Sequence, residues 1–410
     1  MSAAAPSAQA PPPRGVSVRR PMQEATILAG STLTVLAGAA VVSALPEMER
    51  VYAGLPGAGV LVRMVVTLHA LGIAVSAPLA GWLMDRWGRR HVVGASLILL
   101  AGSGMSGAAL ESLYGILAGR FLLGVAIGGT MTGFTTLLGD HYEGRRLDRL
   151  VGYQSAAMGF GGVLYLLLGG LLADAGWRHP FLLYALALLV LPGLILCVNE
   201  PERRLRTLLP SDQGSARPVP VRRVAGFYLM GFAGMIVFFM MPVHLPFLLE
   251  RVGKAGPAAI GGVMAGSTLS SAVISLFYRS IRNRLSSAAV YGWAFLLMGL
   301  GYLGFPLADS VAAVLGAALL SGFGVGMLMP NLNADTVSAV ATPLRGRVVG
   351  GLVICMCLGQ FLCPLLTQPL AEARGEGAAF GWMGGALLLA VCAFAVAGRF
   401  RSAEGMGVPG

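Results

Sequence analysis

The sequence predicts an all-α integral membrane protein, with twelve transmembrane helices in two pseudo-symmetric six-helix bundles. Three observations predict it: the composition, the spacing of the apolar runs and the placement of the basic residues. Of 410 residues, 56% are hydrophobic and 11% charged. A soluble globular chain carries about 25% charged residues, so the solvent for most of this chain must be lipid. A helix needs about 20 apolar residues to cross a hydrocarbon core of roughly 30 Å, and the chain offers twelve such runs. Backbone groups in lipid must bond internally, which leaves helices or closed barrels. These runs are too long and too uniformly apolar for barrel strands.

In chain order, residues 1–22 are rich in Ala and Pro and read as a disordered cytoplasmic tail. They lack the apolar core of a signal peptide. The first bundle occupies 23–198, with runs near 25–46, 58–84, 91–110, 113–139, 151–173 and 180–198. The longest polar break, NEPERRLRTLLPSDQGSARPVPVRR at 199–223, mixes Pro, Ser and Gly with Arg and reads as a cytoplasmic linker. The second bundle occupies 224–400, with runs near 224–248, 256–278, 286–306, 310–332, 348–370 and 378–398, and 401–410 is a second tail. The runs at 58–84, 310–332 and 348–370 carry polar residues, which leaves a count of eleven open.

The net charge of +11 is topological rather than a sign of nucleic-acid binding. Cytoplasmic loops collect Lys and Arg. With the N-terminus inside, 22 of the 29 basic residues fall in inside segments, at 14–20, 86–90, 145–149, 203–223, 279–284, 345–347 and 399–401. Arg50, Arg63, Arg178, Arg251, Lys254 and Arg374 fall outside, and Arg120 lies within a span. Both termini are therefore expected in the cytoplasm. The near absence of Lys and the wealth of Ala and Gly suggest a GC-rich bacterium and hence its inner membrane. The five cysteines all sit in predicted spans, where thiols behave as small apolar groups. Neither a disulfide nor a metal site is expected, and no cofactor.

An internal repeat supports the two-bundle division. At one offset of 198 residues, Gly124 and Gly128 fall on Gly322 and Gly326. At the same offset Arg149, Gly152 and Gly161 fall on Arg347, Gly350 and Gly359, and Arg86 falls on Arg284. Two parallel halves place a solute path between them near the bilayer midplane.

Three motifs carry more specific information. The first is GWLMDRWGRR, residues 81–90, at the inner end of the second span. Gly81 allows close helix approach, Gly88 permits a tight turn, and Asp85 is able to pair with Arg or a helix N-terminus. A bare basic loop would explain Arg86, Arg89 and Arg90 but not the Asp and the two spaced Gly. The second is RFLLGVAIGG at 120–129, with Arg120, Gly124 and Gly128 at fixed spacing. An Arg within a span is costly unless it snorkels or faces a polar path. The third is the glycine series Gly152, Gly161, Gly169 and Gly170 in the fifth span, which suits close packing against the eighth.

Together these resemble the major facilitator superfamily, whose loop between helices 2 and 3 carries G-x-x-x-D-R-x-G-R-R. The resemblance covers nearly the whole chain and is looser for any subfamily; the first and seventh spans are similar to bacterial drug and metabolite exporters. It implies the superfamily's fold, no enzymatic activity and alternating access. It also implies a conformational latch at Gly81, Asp85, Arg86, Gly88, Arg89 and Arg90, and a part in proton transfer for Arg120. Two departures qualify it. The exporters' Gly-Pro pair in the fifth helix is replaced here by Tyr165 and Leu166, and the second-half copy of the loop, SLFYRSIRNRL at 275–285, has Asn283 where Asp85 would stand.

Polar residues within spans are the remaining candidates for a substrate or proton path: His69, Gln154, Tyr165, His244, Asn331, Asn333, Asp335 and Gln360. Each alone suits a helix-contact role as well. No Asp or Glu lies at the middle of a span, so His69, His244 or a carboxylate at a cavity mouth would carry proton coupling. A path with Arg120 and no acid would favour neutral or anionic solutes. HExxH and GxxxxGK[ST] are absent from the sequence, so neither metal hydrolysis nor ATP-driven pumping within this chain is expected. The leading expectation is a monomeric, proton-coupled exporter of small organic molecules. The alternative is an uptake symporter or facilitator for a sugar or organic acid. A membrane sensor would normally add a soluble signalling domain, and nothing here is large enough.

Overall fold

Among the described residues, twelve long helical segments follow one another along the chain. The computed structural model describes residues 19–200, 221–341 and 344–404, with side chains over a slightly narrower range. Most of the 1–22 tail, most of the 199–223 linker and the end of the 401–410 tail lie outside the described residues. The helices are α1 (Pro21–Val51), α2 (Ala58–Trp87), α3 (Arg89–Ala109), α4 (Leu113–His141), α5 (Gly144–Asp174) and α6 (His179–Cys197). The second set is α7 (Val221–Gly253), α8 (Pro257–Leu276), α9 (Ser287–Leu307), α10 (Val311–Ser338), α11 (Arg345–Arg374) and α12 (Glu376–Glu404). Among the described residues eleven are long and apolar enough to cross a membrane, and α12 carries a shorter apolar stretch, Glu376–Cys392.

Helices run past the apolar sequence runs because polar residues at their ends still close backbone hydrogen bonds. Thus α5 begins at Gly144 and α10 continues to Ser338. Their starts are chemically marked. Pro257 sits at the head of α8, and Ser286 and Ser310 accept backbone N–H bonds from Ala289 and Ala313 at the heads of α9 and α10. Gly88 joins α2 to α3 at φ +92°, a conformation open chiefly to glycine, as the tight-turn expectation required. In the second half the corresponding segment is a short helix, Tyr278–Arg284.

Packing repeats with a pseudo-twofold. Within the halves α1–α5 matches α7–α11, α2–α4 matches α8–α10, α3–α4 matches α9–α10, and α3–α6 matches α9–α12. Across the seam α5–α8 matches α2–α11. The sequence offset reappears in atomic contacts. A Cβ on Gly124 would sit 1.9 Å from the His69 carbonyl oxygen, and one on Gly322 would sit 2.4 Å from the Ser267 carbonyl oxygen. Likewise Gly128 lies on Ser76 and Gly326 on Ile274 and Ser271. The facing residues His69 and Ser267, and Ser76 and Ile274, are themselves 198 apart. Close helix approach through small residues is how membrane helices associate.

The α5 glycines divide their work differently from the expectation that they face the eighth helix. Gly170 does meet α8, at Pro257 and Ala258. Gly161 and Gly169 instead pack on Thr32 and Ala40 of α1. Gly152 has nothing within 4 Å of a Cβ position, because it lies where the halves have parted.

Candidate functional site

The seam between the halves is shut at one end and apart at the other. The end where the 199–223 segment joins the bundles is termed the linker end, and the opposite one the far end. Along one face of α5, a Cβ on Gly170 would be 2.8 Å from the Pro257 carbonyl oxygen of α8. One on Gly162 would be 3.6 Å from Thr268, and one on Gly159 3.9 Å from Ala272. At Gly152, two turns nearer the linker end, there is no neighbour within 4 Å. The α2–α11 seam behaves alike. Gly59 meets Gln368 and Glu372 near the far end, His69 meets Gln360 midway, and Gly81 and Gly350 are open toward the linker end.

A buried charged network seals the far end. Arg63, near the start of α2, is 2% exposed. Its guanidinium donates to Glu376 Oε1 at 2.6 Å, to Glu49 Oε1 at 3.2 Å and to the Gly59 carbonyl at 2.9 Å. It also lies 3.7 Å above the Phe247 ring of α7, a cation–π contact. Glu376 is the first residue of α12, directly after Gly375 at φ +88°, so its carboxylate sits at a helix N-terminus. Its other oxygen is 2.5 Å from His244 Nδ1, and His244 Nε2 is 2.7 Å from Thr367 Oγ1 on α11. His244 is fully buried between Pro242 and Pro246 of α7. Arg63 and Glu49 belong to the first half, while Glu376, His244 and Thr367 belong to the second. At the rim, Arg50 pairs with Glu250 at 2.8 Å, and Asp174 accepts the Ala258 N–H at 3.2 Å. Both rim contacts also cross the seam, but as exposed contacts they contribute little.

The middle of the molecule carries a second polar set. Gln360 and His69, from opposite halves, meet with Nε2 to Nε2 3.1 Å apart. The amide must donate there, so His69 holds its proton on Nδ1, which is buried without a partner. Arg120 is 1% exposed and lies inside the first half. Its Nη1 donates to the Tyr184 hydroxyl at 2.6 Å, its plane covers Phe181, and its Nη2 is buried without a partner. Tyr184 leans on the carbonyls of Leu36 and Ala37 in α1, while His69 faces Gly38 of the same turn. Two unsatisfied N–H donors therefore flank one turn of α1.

The other sequence candidates are not gathered there. Gln154 donates to Ser31 at 2.8 Å and Tyr165 bonds Thr32 at 2.7 Å, both between α5 and α1. Asn331 bridges Tyr278 and Ser287 toward the linker end of the second half, where Asp335 also bonds Ser287. Asn333 donates back to the Met329 carbonyl one turn earlier and is exposed.

The 81–90 loop stands at the parted end. Asp85 is exposed and makes no ion pair among the described residues, in contrast to the partner expected for it. Glu200 takes the helix N-terminus instead, accepting the Arg89 N–H at 2.6 Å and the Arg90 N–H at 3.0 Å. The Arg89 side chain pairs with Asp140 of α4, Arg90 bonds the Ile195 carbonyl of α6, and Arg86 lies over Trp82. With the halves apart here, no hydrogen bond or ion pair joins Asp85 to the second half among the described residues.

Sequence reasoning missed the far-end seal. Arg63 was counted as an outside charge because it sits close to a helix start, and Glu376, which follows a turn glycine, was not singled out. The available signal was an Arg within the 58–84 run with no acid beside it.

The sequence model of the Major Facilitator Superfamily matches residues 27–364. The chain belongs to that superfamily. It is a multi-pass membrane transporter and not an enzyme. This transporter is 29% identical over 353 residues to the class C tetracycline resistance protein of Escherichia coli, covering 80% of this chain and 85% of that one. It is 26% identical to the bacillibactin exporter of Bacillus subtilis, covering 76% and 81%. It is 23% identical to the gentisate transporter of Corynebacterium glutamicum, covering 80% and 77%. Among solved structures, a D-xylose–proton symporter superposes with a TM-score of 0.74 at 18% identity, covering 92% of this chain and 96% of that one. That likeness establishes the fold.

Proposed function

We propose that this major facilitator exports small organic molecules across a bacterial inner membrane by proton-coupled alternating access. The observation that supports alternating access is the asymmetry of the seam: a buried charged network shuts one end while the helices part at the other. The arginine bias supports a cytoplasmic linker end, and on that orientation this is an inward-facing arrangement. One chain encloses the whole seam, so a monomer suffices. Export is favoured by the tetracycline resistance protein and the bacillibactin exporter among its relatives. The gentisate transporter supports the second reading, uptake of an organic acid. The test compares accumulation of fluorescent organic solutes in cells with and without the gene. Lower accumulation with the gene, abolished by an uncoupler, is the expected result. Higher accumulation with the gene would establish uptake in its place.

The buried, unpartnered donors of Arg120 and His69 suit a solute carrying an acceptor or negative charge. A hydrogen bond to a charged group contributes about 1.5–3 kcal/mol, or roughly ten- to a hundredfold in binding. Arg120→Gln is therefore expected to weaken transport of an anionic solute by about that factor, with membrane levels unchanged. Equal loss of transport and of membrane insertion would refute a role in binding.

A further inference from the structure

Glu376, His244 and Arg63 join the two halves by buried charge, and hydrogen positions there follow from Thr367. Its hydroxyl donates to the Cys363 carbonyl one turn back at 2.7 Å. The Thr367 oxygen therefore presents a lone pair to His244 Nε2, and Nε2 must carry a hydrogen. A neutral imidazole protonated at Nε2 has only a lone pair at Nδ1, and an ionised carboxylate has only lone pairs. At 2.5 Å these would repel, so the Nδ1–Oε2 contact holds one further proton. The opposite tautomer would turn the Thr367 hydroxyl away from the Cys363 carbonyl and leave two oxygens facing at 2.7 Å.

We infer that the Glu376–His244 pair is the proton-binding site of this transporter, and that its occupancy decides whether the far end closes on Arg63. The charged and titratable groups around the pair are few. Arg63 approaches from α2, Glu49 from the end of α1 and Glu372 from the exposed end of α11. Cys363 of α11 and Tyr302 of α9, whose ring packs on Phe380, complete the surroundings. With the proton in place, Arg63, Glu49 and the Glu376–His244 pair sum to zero charge. Without it they sum to minus one in a buried site, a state relieved by parting the halves and admitting water. A proton arriving from outside water at the open far end binds the pair and restores neutrality. The network then closes, and no other bond is made or broken. Thr367 is a positioning residue, since it acts through the imidazole.

The inference rests on the alternating-access reading but not on export, and its test needs neither substrate nor gradient. Ser43 is 2% exposed and faces Gly261 of α8 across the far-end seam. Ser43→Cys is placed in a background with Cys197, Cys355, Cys357 and Cys392 replaced, while fully buried Cys363 is kept. The full chain, in membrane vesicles, is labelled with an impermeant maleimide at about pH 5.5 and about pH 8.5, a span that brackets imidazole titration. Rates are normalised to an exposed Gly54→Cys. Labelling is expected to be roughly tenfold faster at the higher pH, the population change linked to one unit of difference in proton affinity between two states. Glu376→Gln and His244→Asn are expected to abolish that dependence, and His91→Gln, at an exposed site, to keep it. A wild-type rate that ignores pH, or a dependence that survives both substitutions, overturns the proposal. If neither variant accumulates, Thr367→Val decides, since a midpoint that does not move also overturns it. Uncoupler-insensitive transport with a pH-dependent seal would end the proton-driven reading and leave this site standing.

Discussion

Replacing Arg63 with Met is expected to lower the stability of the folded transporter by about 3–5 kcal/mol, the usual cost of removing one partner from a buried ion pair. Arg63 is 2% exposed and Glu376 is 4% exposed, so neither has water to fall back on. Met fills much of the same volume, which confines the effect to charge. The double variant Arg63→Met/Glu376→Gln is expected to recover part of the loss, because it removes the stranded carboxylate along with its partner. Thermal unfolding of detergent-purified protein measures all three. An Arg63→Met variant as stable as wild type would show that the guanidinium does not hold the halves together. The partial recovery separates an ion pair from simple packing against Phe247.

On the alternating-access reading the far end must open, and the energetics of such a network suit that. Attraction between buried charges roughly offsets their desolvation. A ligand that swings an equilibrium from 1:99 to 99:1 must discriminate the two states by about 5.5 kcal/mol. A seal much stronger than that would freeze the cycle. The exposed Arg50–Glu250 pair at the rim is too weakly coupled to serve alone.

Gly124→Ala and Gly152→Ala are expected to behave oppositely although both glycines lie in helices. A methyl on Gly124 would stand 1.9 Å from the His69 carbonyl oxygen, a backbone atom of the facing helix. No rotamer relieves that contact, so α2 and α4 must separate, at a cost of about 1–3 kcal/mol or more. The same shift would displace His69 from Gln360. At Gly152 a methyl enters open space at the parted end of the seam. The measurement is the yield of monodisperse protein and its unfolding temperature. The packing account would be lost if the two variants proved indistinguishable.

Most of the architecture was legible in the sequence because lipid imposes simple rules. Twenty apolar residues make a span, unpaired backbone is forbidden, and small residues recur where helices touch. Hence the helix order, the offset of 198 and the turn at Gly88 all follow from residue type and spacing. What belonged to tertiary structure alone is which polar groups meet. His69 and Gln360 are 291 positions apart, and Arg63 and Glu376 are 313 apart. Helix periodicity says nothing about pairs so distant. It also says nothing about which end of the seam is closed. Whether Asp85 finds a partner, and whether Gly152 packs, depends on the angle between the two bundles, which no local residue pattern encodes.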